Sequence, residues 1–114
     1  MPLTELQAAA VRHVLAPFRN LDAPPHVRAK LRVDFRIKGN EAILFESRPR
    51  FQNPAIWQEA PVAKFRYVRT RQRWELFCQH SDLKWHCYNN LPYSPDLALL
   101  AAEVDRDPTG IFWG

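Results

Sequence analysis

The chain has 114 residues, a length typical of one domain with one hydrophobic core. Its apolar fraction of 46% and charged fraction of 25% are those of a soluble globular protein. No apolar run approaches the roughly 18 residues of a membrane helix, and the first residues lack the basic and apolar regions of a secretory signal. We therefore expect a cytoplasmic protein without a membrane partner.

The formal net charge of +4 is unevenly distributed. The segment from Arg28 to Arg73 holds twelve Lys and Arg against four Asp and Glu, whereas the rest of the chain holds four against eight. A basic middle between acidic flanks favours either an anionic partner or an internal charge match.

An amphipathic helix is predicted over residues 5–16. Thr4 and Gln7 have the spacing of a capping box, and apolar residues then recur at helical spacing. Pro17 lacks an amide proton and is expected to end or kink this helix. Residues 22–26 follow as a rigid, proline-containing connector.

Strict alternation of apolar and polar residues predicts five antiparallel strands. They cover residues 30–38, 42–48, 63–68, 73–79 and 83–88, with a structured loop over 49–61. The inner face is expected to carry Val33, Phe35, Ile37, Ile43, Phe45, Phe65, Tyr67, Trp74, Leu76 and Trp85. On the fifth strand, Leu83 and Cys87 are expected to point inward beside Trp85.

Gly39 and Asn40 supply the turn between the first two strands. A two-residue turn would pair Phe35 with Leu44, whereas a three-residue turn pairs Phe35 with Phe45. We predict the three-residue turn, because it collects the larger side chains on one face.

Residues 94–96 have the sequence of a helix start, with Ser94 as N-cap and proline at the next position. The second helix should reach about residue 104, and an apolar tail follows over 107–114. The sequence thus predicts a single α+β domain over residues 1–114. Its order is an N-terminal helix, a five-stranded antiparallel β-meander, a C-terminal helix and a docked tail, with both helices on the inner face.

Three segments carry a family resemblance: PPHVR at 24–28, PVAKFRY at 61–67 and DRDPTGIFWG at 105–114. Together they resemble the short bacterial family catalogued as the domain of unknown function numbered three thousand and twenty-four. The resemblance covers nearly the whole chain, and its terminal segment is the most specific part. It implies a bacterial, single-domain, soluble protein. The family has no assigned activity, so the resemblance supplies no catalytic residue.

The sequence shows no assembled catalytic or metal-binding constellation. Cys78, His80, His86 and Cys87 lie close together, but alternation points His86 away from both cysteines, so a tetrahedral zinc site is not expected. No serine has a nucleophile-elbow context and no glycine-rich phosphate loop exists. We therefore predict no catalytic residue, metal or cofactor, and favour a protein that is not an enzyme without deciding the question.

The outward face of the later strands carries aromatic rings between cations. The expected pairing sets Lys64 opposite Phe77 and His86, and brings Arg66 into one row with Tyr88. Single-stranded nucleic acid is recognised by such a mixture, since rings stack on bases and cations follow phosphates. The predicted nucleic-acid-binding residues are Lys64, Arg66, Arg69, Arg71, Arg73, Phe77, Lys84, His86 and Tyr88.

Three other interpretations stay open. If a helix covers this face, Phe77 and Tyr88 belong to the core and the cations form a solvated rim. A weaker alternative is a small-ligand site or enzyme beneath the 49–61 loop, near His26. A protein-interaction or homodimerisation module would use that loop and the tail, although an apolar tail more often fills a gap in its own core. Its partner-binding residues would be Phe51, Trp57, Ile111, Phe112 and Trp113.

Overall fold

The computed structural model describes residues 2–19 and 23–113. Its helices are α1 (Glu5–Leu15), α2 (Pro25–Arg28) and α3 (Leu97–Arg106), and 3-10 turns cover Ala16–Phe18 and Arg69–Arg71. Its strands are β1 (Arg32–Lys38), β2 (Glu41–Pro49), β3 (Trp57–Val68), β4 (Arg73–Gln79), β5 (Trp85–Cys87) and β6 (Tyr93–Ser94). None of the helices within these ranges is long and apolar enough to cross a membrane.

The predicted α+β meander is confirmed. The strands form one antiparallel sheet in the order β1-β2-β3-β4-β5. The short strand β6 pairs with the start of β4, at Trp74 and Glu75. The capping box of α1 is present, since Thr4 Oγ1 accepts from the amide of Gln7 at 3.2 Å and Gln7 Oε1 accepts from the amide of Thr4 at 2.9 Å. Part of the predicted connector forms α2, while Asp22 lies outside the described residues.

The C-terminal helix begins later than predicted. Ser94 lies in β6, and its hydroxyl accepts a hydrogen bond from the amide of Asp96 at 3.0 Å. The Asp96 carboxylate in turn accepts from the amide of Ala98 at 3.0 Å, so Asp96 is the N-cap of α3. Both residues are good caps, and the strand pairing of Ser94 decides which of them acts.

Helices α1 and α3 pack side by side on one face of the sheet, as predicted. Val11 and Leu15 of α1 and Leu100 and Val104 of α3 are fully buried, and they join one core with Phe65 of β3. Each such side chain contributes about 1.5–3 kcal/mol by leaving water. The opposite face of the sheet, here named the open face, is left without either helix.

The β1–β2 register differs from the prediction. Gly39 adopts a φ of +60°, and the turn has only two residues, so Phe35 pairs with Leu44. Ala42 and Leu44 are therefore buried in the core, while Ile43 and Phe45 point to the open face. The prediction weighed side-chain size, but the left-handed glycine fixes the loop length and hence the face of every residue that follows.

Strand β3 starts earlier than predicted and contains a bulge. Leu44 pairs with Ala63, but the next residue, Phe45, pairs with Pro61, so Val62 is an extra residue in β3. A bulge of this kind reverses the alternation on one side of it. The segment Trp57–Val62 therefore belongs to the sheet, and the loop predicted over 49–61 shrinks to residues 50–56.

The β4–β5 register is shifted by one residue from the prediction. Gln79 pairs with Trp85, so five residues form the turn. Asp82 Oδ1 accepts from the amide of Lys84 at 2.9 Å, and Leu83 adopts a φ of +63°. This longer turn sends Trp85 and Cys87 to the open face, and the exposed Leu83 is not part of the core. Their predicted inward positions are wrong.

The tail packs on its own domain, as predicted. Phe112 is buried with its ring centroid 4.9 Å from that of Tyr88. Trp113 Nε1 donates to the carbonyl of Val104 at 2.9 Å, and its ring stacks on Phe18 with centroids 6.2 Å apart. The Asp107 carboxylate accepts from the amides of Phe112 and Trp113 at 3.1 and 2.9 Å. Gly114 lies outside the described residues.

Candidate nucleic-acid interface

The open face is built from side chains that alternate with the core residues of the central strands. Lys64 lies opposite Phe77, and Arg66 lies opposite Glu75, as predicted. In the other direction, Arg66 pairs with Glu41, which pairs with Lys38 at the edge strand. This row therefore alternates positive and negative charge across four strands.

Four arginines on the open face have their guanidinium groups over aromatic rings. We call them the stacked arginines. The guanidinium carbon lies 3.9 Å from the ring centroid for Arg32 on Trp57, 4.4 Å for Arg36 on Phe45, 4.7 Å for Arg66 on Phe77 and 3.6 Å for Arg73 on Tyr93. Cation–π contacts of this kind contribute about 0.5–2 kcal/mol each.

Carboxylates hold three of the stacked arginines in place. Arg36 Nη2 contacts both carboxylate oxygens of Glu59, at 2.7 and 2.6 Å. Glu75 receives Arg66 on one oxygen at 3.1 Å and Arg73 on the other at 3.2 Å. Each of these guanidinium groups is thus fixed by a ring below and a carboxylate at its side. The exposed fraction of the side chain decreases from Arg36 to Arg66 to Arg73.

Glu75 is the electrostatic centre of this arrangement. Partial burial alone would raise the pKa of its carboxyl, but the hydrogen bonds and charges of Arg66 and Arg73 outweigh burial and lower that pKa. Glu75 therefore stays ionised at neutral pH and fixes the positions of two stacked arginines.

Lys64 is less available than the sequence suggested. Its ammonium lies 4.7 Å from the ring centroid of Phe77, 5.3 Å from that of Trp85 and 3.2 Å from Glu41 Oε2. Only 12% of its side-chain surface is exposed. Lys64 thus joins the two rings and a carboxylate, and it is poorly placed to bind a phosphate.

The turn between β3 and β4 provides the free positive charge. Arg69 and Arg71 are both exposed on the 3-10 turn, and neither makes an ion pair with any residue in the described ranges. Lys84 is likewise exposed in the β4–β5 turn, at the other end of β4. These cations remain candidates for phosphate contacts.

His86 and Tyr88 do not lie on the open face, and their predicted pairing is wrong. The one-residue shift pairs Cys78 with His86 and Phe77 with Cys87. Tyr88 is buried, and its hydroxyl donates to Glu103 of α3 at 2.7 Å. A base has no access to that ring, so Tyr88 is removed from the candidate site and His86 moves to the helix side.

The cysteine and histidine cluster has a different arrangement from a metal centre. His80 stacks on His86 with centroids 4.0 Å apart, and His86 Nε2 lies 2.9 Å from Asp82 Oδ2. Cys78 is buried and Cys87 is exposed, and both are free thiols. Within residues 2–19 and 23–113, no group of three His, Cys, Asp or Glu side chains could hold a metal ion.

The residues of the partner-binding alternative are dispersed. Phe51 is fully exposed at the tip of the β2–β3 loop, whereas Trp57 lies in β3 beneath Arg32. In the tail, Phe112 is buried, while Ile111 and Trp113 are partly exposed. The rings predicted to act together therefore do not form one continuous surface.

The small-ligand alternative placed a site beneath the 49–61 loop, and a deep pocket lined by His26, Trp57 and a carboxylate would favour it. The cavity beside the β2–β3 loop measures about 220 Å³ and is lined by residues such as Glu46, Arg50 and Gln58, and neither His26 nor Trp57 lines it. This cavity is smaller than the usual range of ligand sites, about 300–1,000 Å³.

Six residues of the open face were absent from the predicted nucleic-acid-binding set. They are Arg32, Arg36, Phe45, Trp57, Trp85 and Tyr93. The alternation of β1 did point its arginines outward, so that signal was present. Their ring partners depend on the two-residue turn and on the bulge at Val62, which leave no signal in the apolar pattern.

One comparison with known proteins identifies the chain's relatives. A family model described as Domain of unknown function (DUF3024) matches residues 3–114. Neither the curated proteins nor the solved structures contain a match to this chain. The match extends over almost the full length and agrees with the resemblance carried by the three sequence segments. The chain therefore belongs to the DUF3024 family.

Proposed function

We propose that this protein is a binding module for single-stranded nucleic acid, which lies across the open face. The observation that carries the proposal is the set of four guanidinium groups held over rings on a sheet face that α1 and α3 leave uncovered. Sheet faces that present rings and arginines are a common way to hold unpaired bases.

The stacked arginines would receive bases directly. A guanidinium group is planar and stacks on a base as well as on a protein ring, so each arginine can lie between the two. Arg36 and Arg66 are accessible to a base, because 51% and 40% of their side-chain surfaces are exposed. Ring and carboxylate contacts fix these groups before binding, which reduces the entropy lost when a base is bound.

The charge pattern predicts a moderate dependence on salt. Arg36, Arg66 and Arg73 already have carboxylate partners, so they add little net attraction for phosphates. The unpaired Arg69 and Arg71 would supply most of the net attraction for phosphates. For single strands the logarithm of the affinity falls by about 0.7 per phosphate contact for each tenfold rise in salt, so a slope of only about −1 to −3 is expected.

The test is fluorescence anisotropy with labelled oligo-dT and oligo-U of about 12 nucleotides, a length within the usual site size, at low and moderate salt. Arg36→Ala should weaken binding about tenfold, as expected for the loss of one stacked base. Arg36→Lys should weaken it similarly, because lysine keeps the charge but loses the plane. Arg12→Ala, at an exposed position on α1, serves as the matched control and should bind like the wild type.

Two results would count against the proposal. An absence of binding by the folded wild type at low salt would end it. Wild-type affinity in Arg36→Lys together with loss in Arg36→Ala would show that charge alone acts, and would remove the stacking role.

A further inference from the structure

A cavity of about 620 Å³ lies at one end of the open face. The start of α1, the β1–β2 turn and the 3-10 turn after β3 form its walls. Its polar lining includes Gln7, Asn40, Arg66, Arg69 and Arg71. The volume falls within the range of sites that hold a nucleotide-sized ligand.

The cavity has an excess of positive charge. Three arginines line it, and Glu75 is the one carboxylate that does so within the described part of the chain. Glu75 is already shared between Arg66 and Arg73, whereas Arg69 and Arg71 have no carboxylate partner among residues 2–19 and 23–113. Two guanidinium groups are therefore free to bind an anion in a concave setting.

The start of α1 adds weaker attraction from the opposite wall. Pro2, Leu3 and Gln7 line the cavity on that side. The positive end of an eleven-residue helix dipole lies there and favours an anion, and the Glu5 carboxylate in the first turn offsets part of this attraction. Gln7 Oε1 is occupied by the amide of Thr4 at 2.9 Å, which leaves its side-chain NH₂ as a donor.

The N-terminal segment forms one wall of the cavity. The N-terminal segment rests against the β1–β2 turn, since the amide of Leu3 donates to the carbonyl of Gly39 at 3.0 Å. A strand that followed the open face to this point would bring its end beside this segment. A phosphate monoester at the end of a strand carries a charge of about −2 near neutral pH, against −1 for an internal phosphodiester, and so fits two free guanidinium groups.

We propose that this cavity binds the terminal phosphate of a nucleic-acid strand, with Arg69 and Arg71 as its ligands and Arg66 as the link to the stacked arginines. The inference rests on the proposed function and adds to it that the protein distinguishes a phosphorylated strand end from the interior of a strand.

The test compares three oligo-dT probes that differ only at their ends: 5′-phosphate, 3′-phosphate, or hydroxyl at both ends. One phosphorylated probe should bind about tenfold more tightly than the hydroxyl probe, as expected for charge-assisted contacts to two arginines. The double variant R69A/R71A should bind all three probes with equal affinity, and its affinity for the hydroxyl probe should also fall, because these arginines supply most of the net attraction for phosphates. R12A is the matched control and should retain the preference.

A second arm separates the terminal phosphate from free phosphate and from the proposed function. Inorganic phosphate and a thymidine monophosphate should each raise the Tm of the wild type and leave that of R69A/R71A unchanged. Equal affinity for all three probes overturns the inference while the proposed function stands. If no probe binds, the proposed function fails, and the Tm shift alone then decides whether the cavity binds a phosphate monoester. The terminal-phosphate inference is also overturned if inorganic phosphate raises the Tm and the mononucleotide does not.

Discussion

The hydroxyl of Tyr88 donates a hydrogen bond of 2.7 Å to Oε2 of Glu103, and both side chains are buried. The other carboxylate oxygen, Oε1, accepts from Arg106 at 2.6 Å. This contact joins the sheet to α3. Burial raises the pKa of Tyr88, and the neighbouring Glu103 charge acts in the same direction. Tyr88 therefore has a structural role, although the sequence had placed it on the binding surface.

Tyr88→Phe should destabilise the fold by about 1–3 kcal/mol, because it leaves a buried carboxylate oxygen without its donor. Chemical denaturation followed by circular dichroism measures this cost. Tyr93→Phe is the matched control: its ring is half exposed and supports Arg73, so the same change should cost less than about 0.5 kcal/mol. Equal effects of the two variants would show that the Glu103 contact contributes nothing.

Phe112→Ala should cost about 3–5 kcal/mol, because it removes a buried aromatic ring that packs on Tyr88. Phe51→Ala removes the same atoms from a fully exposed position and should change stability by less than about 0.5 kcal/mol. Thermal unfolding of the two variants tests the docking of the tail.

Size-exclusion chromatography of the same proteins tests the dimer alternative. A tail-mediated dimer predicts that Phe112→Ala dissociates, whereas a self-docked tail predicts no change of size.

Gly39→Ala should cost about 1–2 kcal/mol, because the residue holds a φ of +60° that L side chains adopt at a penalty. No heavy atom lies within 4 Å of a Cβ built there, so the cost is one of backbone conformation rather than of collision. Gly39→Asn has a larger side chain but tolerates this conformation. Asparagine should therefore be the milder substitution, and a greater loss of stability with asparagine would contradict this account.

Stability should fall in acid partly through Glu75. Its folded-state pKa lies below the ordinary value of 4.5, so the unfolded chain binds more protons in that range. The contribution of Glu75 to the free energy of unfolding is complete when the pH is above the ordinary pKa of the carboxyl. It is lost as the pH drops through the folded-state pKa. Glu75→Gln should therefore flatten the dependence of the free energy of unfolding on pH below about pH 5. Denaturation series between neutral and acidic pH measure this dependence. An unchanged slope in Glu75→Gln would contradict this assignment.

The sequence predicted the order of the elements well and the registers of two hairpins badly. Alternation placed Val33, Phe65 and Leu76 in the core correctly, because each lies in a regular stretch of strand. The β2 and β5 errors have one cause: the length of a turn sets the face of every residue after it. Gly39 and Leu83 adopt left-handed conformations that fix those lengths, and no count of apolar residues contains that information.

The candidate site was predictable only in part. Lys64 and Arg66 lie opposite Phe77 and Glu75 as expected, because β3 and β4 are regular between the bulge and the 3-10 turn. The ion pairs of these cations were not predictable, since the carboxylate partners of Lys64 and Arg36 come from strands distant in sequence. Charge counting showed that the middle of the chain is basic, but only the fold shows which arginines stay free.

The extra residue at Val62 makes this protein more sensitive to a change of length than to a change of side chain. Below the bulge, odd-numbered residues such as Trp57 and Glu59 share a surface with Arg32 and Arg36; above it, odd-numbered residues such as Phe65 point to the helices. Deleting one codon here would rotate the first half of the strand by half a turn. Trp57 and Glu59 would then turn away from the two arginines that they support, although no amino acid on that surface had been exchanged.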